Sequence, residues 1–332
     1  MADAEVSGRL VECVPNVSEG RDQDTLDALA AAAAARAGSW LLDHTADIDH
    51  GRAVYTLAGH DGPVMDAVEA MVEVAVERID MRRHRGRHPR IGAVDVIPFV
   101  PLDGITLAEC VASSRSFAAR IAQRFSLPVY LYGGGATRPR SLAELRRPGF
   151  EGLARAMAAP DGKPDFGPAR PHPTAGATAV GVRPFLVAFN VQLATTDADV
   201  ARRMAVAMRE RDGGLAAVQA IGISLPSMGC VQLSMNLVDH HRTPLWRVWD
   251  EALRLSTREG VDVIDSELIG LVPAAALLAV ADHIGSDPSA AMELRLRDAG
   301  SWLRIRGFDP GMALEVRLAR VRGAGARGGG SG

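Results

Sequence analysis

At 332 residues the chain is too long for one small domain and suits two compact units, each burying a core of its own. Apolar residues at 47%, charged residues at 23% and a net charge of −3 exclude a polyelectrolyte tail protein and give no global pull toward nucleic acid or anionic lipid. Three cysteines without CxxC spacing exclude a disulfide framework and a zinc ribbon, while MADAEVSGRL lacks the basic and apolar regions of a signal sequence and no run is long enough to span a bilayer, so a cytoplasmic protein is expected.

In chain order, residues 10–14 alternate and read as a strand. After the turn PNVSEG, the Leu- and Ala-rich run 25–35 reads as a helix that stops by Gly38. Residues 40–43 and 53–58 read as strands on either side of a polar loop, DHTADIDHGR. In the helix expected at 63–79, Val64, Ala67, Val68, Met71, Val72 and Ala75 recur at three and four residues and make one buried stripe. A strand at 93–100 completes β-α-β-β-α-β. Thr106 and Glu109 have capping-box spacing before a helix to about Phe125, and 128–132 forms one more strand.

The stretch 141–178 is rich in Pro, Gly and charge and reads as a long connection, with a boundary near Gly181. The order then repeats: a strand at 185–193, a helix at 197–210 opened by Thr196, strands at 217–224 and 230–238, a helix from Pro244 capped by Thr243, and a strand at 261–264. The expected fold class is α/β (α+β), with two ferredoxin-like β-α-β-β-α-β subdomains and a cleft between them. Their bounds are 1–180 and 181–322, and the glycine-rich 323–332 is expected to be a flexible tail.

The densest chemical feature is MRRHRGRHPRIGAVDV, residues 81–96, where five arginines and two histidines precede a strand. Arg87 and Arg90 can pair bidentately with carboxylates, which suits an anionic substrate; a solvated basic loop is the other reading. His84 and His88 stand four apart, but no Glu lies between them, Gly86 weakens a helix and Pro89 disfavours helical geometry at His88, so no metal site is expected. His88 is the candidate for proton transfer near neutral pH. The acidic loop gathers Asp43, Asp47 and Asp49 with His44 and His50, and Asp43 and Arg52 at its ends are candidates for orienting a catalytic histidine or a substrate, against the reading of a solvated turn.

Several segments together carry a resemblance: LVECVPNVSEG, IDMRRHRGRHPRIGAVDVIPFVPL, PVYLYG, FLVAFNVQL, VQLSMNLVD and SELIGLVP, in order along nearly the whole chain. They resemble the glutamate formimidoyltransferase family, including the transferase portion of formimidoyltransferase-cyclodeaminase. The resemblance implies a homodimer acting on small molecules, with tetrahydrofolate as cosubstrate, that transfers the formimidoyl group of N-formimidoyl-glutamate to N5 in histidine breakdown; the lack of a ligand set in the residues points to activity without a metal. It places the catalytic histidine at His88. It places folate contacts at Gly167, Pro168, Ala169, Arg170, Pro171, His172, Pro173, Thr174, Ala175 and Gly176, within the stretch that composition alone reads as a connection. The chain departs from the family pattern at Gly51, where Asn is expected, so transfer from a formyl donor such as N-formylglutamate stands as an alternative. A non-catalytic folate-binding protein is an alternative of another class. An RNA-binding unit is disfavoured by 5% aromatic content and the acidic balance.

Overall fold

A computed structural model of the chain describes residues 8–138 and 140–328. The chain divides after Arg183 into two compact units, each with a mixed α/β build and an apolar core of its own. Among the described residues there are two sheets, of seven and four strands.

In the first unit, β1 (Leu10–Cys13) and β2 (Asn16–Val17) are one interrupted strand, followed by α1 (Gln23–Ala34). The hairpin of β3 (Ser39–Asp47) and β4 (Arg52–His60) is longer than the sequence suggests, because strand pairing continues through Asp47 opposite Arg52. Most of the supposed polar loop is therefore strand, and only 48–51 turn. Next come α2 (Asp61–Arg78), β5 (Val94–Asp103) and α3 (Leu107–Phe125). The last is capped as its sequence implies, Glu109 N donating to Thr106 Oγ1 and Thr106 N donating to Glu109 Oε2. Up to this point the strands lie in the order β3, β4, β1/β2, β5, with antiparallel neighbours.

Two further strands extend that sheet, β6 (Val129–Gly133) and β7 (Thr178–Val182), with β7 parallel to both β5 and β6. The stretch between them is not a bare connection. It holds α4 (Leu142–Arg146), whose N-cap Ser141 makes a capping box with Glu144, and α5 (Gly149–Ala158). Burial explains both helices. Leu142 and Leu145 pack on Val96, Tyr132 and Ala179, while Leu153 and Met157 pack with Ile91, Tyr130 and Ala177. They cover the face of the sheet opposite the main core, into which Val129, Leu131, Val180 and Val182 point.

The second unit contains β8 (Val187–Leu193), α6 (Ala198–Met208), β9 (Val218–Leu225), β10 (Cys230–Leu237), α7 (Leu245–Glu259) and β11 (Val263–Ile269). Its strand order is β11-β8-β10-β9, antiparallel throughout. The N-cap of α6 is Asp197, whose carboxylate accepts from Asp199 N, and not Thr196. Thr243 does not cap α7; its hydroxyl donates to Ala216 O. Three helices follow, α8 (Ala274–His283), α9 (Met292–Trp302) and α10 (Leu314–Gly328). The backbone of 323–328, assigned by composition to a tail, continues α10, and residues 329–332 lie outside the described residues. Among the described residues no helix is long and apolar enough to cross a membrane.

Candidate active site

The site is assembled on the first sheet because strand alternation sends one set of side chains to the core and the other to the opposite face. Ala53 and Tyr55 of β4 and Val17 of β2 enter the core, so their neighbours Arg52 and Asn16 project the other way. On β5 the charged Asp95 sits between Val94 and Val96 with no exposed surface. A carboxylate so buried requires charged or hydrogen-bonded partners. It has them: Oδ1 accepts from Ile91 N at 2.9 Å, and Oδ2 accepts from Arg52 Nη1 at 3.2 Å and Arg146 Nε at 2.8 Å. Arg146 Nη2 donates to the same oxygen. Arg52 is further fixed by Asn16 Oδ1, which accepts from its Nε and Nη2 at 3.0 and 2.5 Å. Burial, and then the neighbouring Arg146 cation, bring Arg52 down to about 9, so it stays charged at neutral pH.

His88 lies against this cluster. Its Nδ1 is 2.7 Å from Arg52 Nη1 and 2.8 Å from Pro89 O. A neutral imidazole satisfies one contact at a time: Nδ1–H donates to Pro89 O and leaves a lone pair at Nε2, or Nδ1 accepts from Arg52 and Nε2 carries the proton. An imidazolium would set its Nδ1–H against the guanidinium. Burial first, then Arg52 and Arg146, hold the His88 pKa well below the usual histidine value, which makes the ring neutral at pH 7. His50 completes the surroundings; its ring centroid is 6.3 Å from that of His88, and its Nδ1 is 2.8 Å from Asp47 Oδ1.

The loop carrying His88 is pinned along its length. Arg87 N donates to Asp49 O at 3.1 Å, so the loop follows the β3–β4 turn. His84 Nδ1 accepts from Arg90 Nε at 3.1 Å, which leaves its proton on Nε2 to donate to Gly51 O at 2.8 Å. His84 is thus a fully bonded strut. Gly51 and Gly86 make the close approach possible. Gly51 has φ +63°, and a Cβ there would lie 2.6 Å from Arg85 O and 2.8 Å from Gly86 Cα. The departure from the family's Asn is therefore accompanied by tight backbone contact in this chain.

The segment 167–176 is joined to the same loop. Ala93 N donates to Ala175 O at 2.9 Å and Ala177 N to Ile91 O at 3.1 Å. Met81 N donates to Thr174 O, and His172 Nδ1 accepts from Ala175 N, closing the PHPTAG turn. Gly176, at φ +72°, touches Ile91 so closely that a Cβ would fall 2.2 Å from its carbonyl oxygen. Ala175 and Gly176 are buried packing elements, whereas Gly167, Ala169, Arg170 and Pro173 are exposed and accessible to a ligand.

Of the expected site residues, Arg52 is brought to His88. Arg90 instead forms a bidentate pair with Glu151, Nη1 and Nη2 donating at 3.0 and 2.8 Å. Arg87 is exposed. Asp43 faces Thr56 across the hairpin, four residues before Asp47 and so roughly 13 Å further along the strand. Asn16, Asp95 and Arg146 were not singled out by residue pattern. A lone Asp in the apolar run AVDVIPFV was a usable signal, since buried charge demands partners; Arg146, one of many arginines, carried none. Among the described residues no group of three or more His, Cys, Asp or Glu side chains is arranged to hold a metal.

Comparison with known proteins matches residues 10–183 to the formiminotransferase domain, N-terminal subdomain, and residues 188–293 to the formiminotransferase domain. The chain is 44% identical over 277 residues to glutamate formimidoyltransferase of Streptococcus pyogenes serotype M1, covering 83% of this chain and 93% of that one. It is 38% identical over 316 residues to the glutamate formimidoyltransferase of Thermoplasma acidophilum, covering 94% and 98%. It is 40% identical over 278 residues to formimidoyltransferase-cyclodeaminase of Rattus norvegicus, covering 81% of this chain and 51% of the longer relative. With both subdomains matched in sequence order across most of its length, the chain belongs to the formiminotransferase family.

Proposed function

We propose that the protein transfers the formimidoyl group from N-formimidoyl-L-glutamate to N5 of tetrahydrofolate, with His88 as the proton-transfer group. The observation that carries the reading is His88 Nδ1 held 2.7 Å from Arg52 Nη1, beside the Arg52–Asp95–Arg146 cluster, in a chain whose relatives bear that activity in their names. The N5 lone pair attacks the amidine carbon and the C=N electron pair moves to nitrogen. The N5 proton passes to His88 Nε2, with Nδ1–H held by Pro89 O. Collapse of the tetrahedral species breaks the bond to the glutamate nitrogen, which takes that proton and leaves as an amine.

The low affinity of His88 for protons divides its work unevenly. It is a weak base but, once protonated beside Arg52, a strong acid, so its surroundings favour the second step, in which a poor leaving group needs a proton. Tetrahydrofolate and the donor both bring carboxylates, and Arg52, Arg146 and Asp95 sum to one surplus positive charge beside His88. The exposed part of 167–176 supports a folate-binding role for that segment, which rests directly on the His88 loop. The test is incubation with tetrahydrofolate and either formimidoyl-glutamate or formyl-glutamate, with identification of the folate product. 5-Formimidoyltetrahydrofolate from the first donor is expected. Binding of folate without turnover of either donor would leave a non-catalytic folate-binding protein.

A further inference from the structure

We propose that Arg146, clamped by Asp95, is the residue that binds the donor's α-carboxylate, the one on the carbon that carries the leaving amine. The inference rests on the transferase reading above and identifies a substrate anchor within that site. Arg52 cannot serve alone: its Nε and Nη2 are bonded to Asn16, and its Nη1 is shared between Asp95 and His88. Arg90 is committed to Glu151 and His84. Arg146 spends Nε and Nη2 on Asp95, and among the described residues its Nη1 has no hydrogen-bond partner. Its side chain is 14% exposed, so the guanidinium is largely withdrawn from water yet reachable. A charge-assisted bond in such a place is stronger than at the surface.

Geometry selects the α-carboxylate. When His88 protonates the leaving nitrogen, the carboxylate one carbon away stays within a few bonds of His88; Arg52 adjoins His88 at Nδ1, and Arg146 is joined to Arg52 through Asp95 Oδ2. The γ-carboxylate, three carbons from that nitrogen, is free to reach elsewhere. Asp95 acts as a positioning residue. One of its oxygens holds Ile91 N in the His88 loop and the other aims both arginines, so loop and anchor are registered by a single buried carboxylate with no exposed side-chain surface.

The experiment compares wild type and Arg146→Met with two donors, formimidoyl-glutamate and formimidoyl-4-aminobutyrate, which lacks only the α-carboxylate. Wild type should prefer the glutamyl donor by about 10- to 100-fold in kcat/KM, the range expected for one charged hydrogen bond. Arg146→Met should lose that preference, because the KM of the glutamyl donor alone rises, while any change that acts through His88 falls on both donors alike. Asp95→Asn, kept only if its thermal midpoint shows it folded, should erode the same preference. The acid limb of the Arg146→Met pH profile should also move upward, because the charge of a nearby cation has been removed while Arg52, His50 and Asp95 remain. Retained preference in Arg146→Met, or equal losses on both donors, would overturn the anchor and leave the transferase reading standing. No transfer from either donor by wild type would overturn both.

Discussion

The contact between Gly51 and the His88 loop gives the sharpest test of how the site is held. Gly51→Ala introduces two costs. The first is conformational: at φ +63° a non-glycine residue costs about 1–2 kcal/mol. The second is steric, because the new Cβ would lie 2.6 Å from Arg85 O, 2.8 Å from Gly86 Cα and 3.0 Å from His84 Nε2, and two of these are backbone. Relief requires the loop to retreat, which adds about 1–3 kcal/mol of overpacking. Gly229→Ala isolates the first cost, since Gly229 has φ +64° and nothing within 4 Å of a Cβ. Each kcal/mol should lower the thermal midpoint by about 2–4 °C in units of this size. Gly51→Ala should therefore fall below Gly229→Ala by about 2–12 °C. Its turnover should drop by about 10²-fold, because a loop moved by about 1 Å carries His88 with it. Gly229→Ala should keep wild-type turnover. If the two variants matched in midpoint and Gly51→Ala retained full turnover, close packing of the β3–β4 turn would not be what positions His88.

His88→Asn should fold and bind folate while losing about 10² to 10⁴ in turnover, and near-normal turnover in a folded, folate-binding variant would remove His88 from the mechanism. The pH dependence follows from the same residue. With its folded pKa depressed below the unfolded value, His88 binds fewer protons in the native state, so its contribution to stability is fully present above about pH 6.5 and is lost as pH falls through the depressed value. The acid limb of kcat/KM should accordingly lie below pH 6.5, and a limb above 6.5 would contradict a neutral resting histidine. Arg90→Ala removes the pair with the mostly exposed Glu151, which contributes only about 0–1 kcal/mol, together with the bond to His84 Nδ1. Its effect on donor KM should be smaller than that of Arg146→Met, as steady-state kinetics on both variants would show.

Much of the architecture is legible in local pattern. The apolar stripe Val64–Ala67–Val68–Met71–Val72–Ala75 predicts α2, and all six residues are buried. The Thr106–Glu109 box predicts the start of α3 and is made in full. These signals survive because periodicity and capping depend on residues three or four apart, which remain neighbours whatever the rest of the chain does. The stretch 141–178 failed for the opposite reason. Its Pro, Gly and charge outweighed Leu142, Leu145, Leu153 and Met157, whose spacing is helical but whose value appears only against Ile91, Tyr130, Tyr132 and Ala179 from distant strands. β7 was hidden likewise, since a strand inserted between β5 and β6 is defined by its parallel pairing with both and not by its own five residues.

The sequence by itself determined the family and marked His88, through the run HPRIGAVD and segments that stay in order along the chain. It also determined two α/β units, because each half carries the strand and helix periods needed for a core of its own. Only the tertiary structure decided which of many arginines adjoin that histidine. Asp95 lies 43 positions from Arg52 and 51 from Arg146, and nothing in the local surroundings of these two arginines ranks them above Arg87 or Arg90. Burial made the choice: a carboxylate removed from water on β5 must be met by cations, and the sheet and α4 bring Arg52 and Arg146 to it, while Arg90 turns to Glu151.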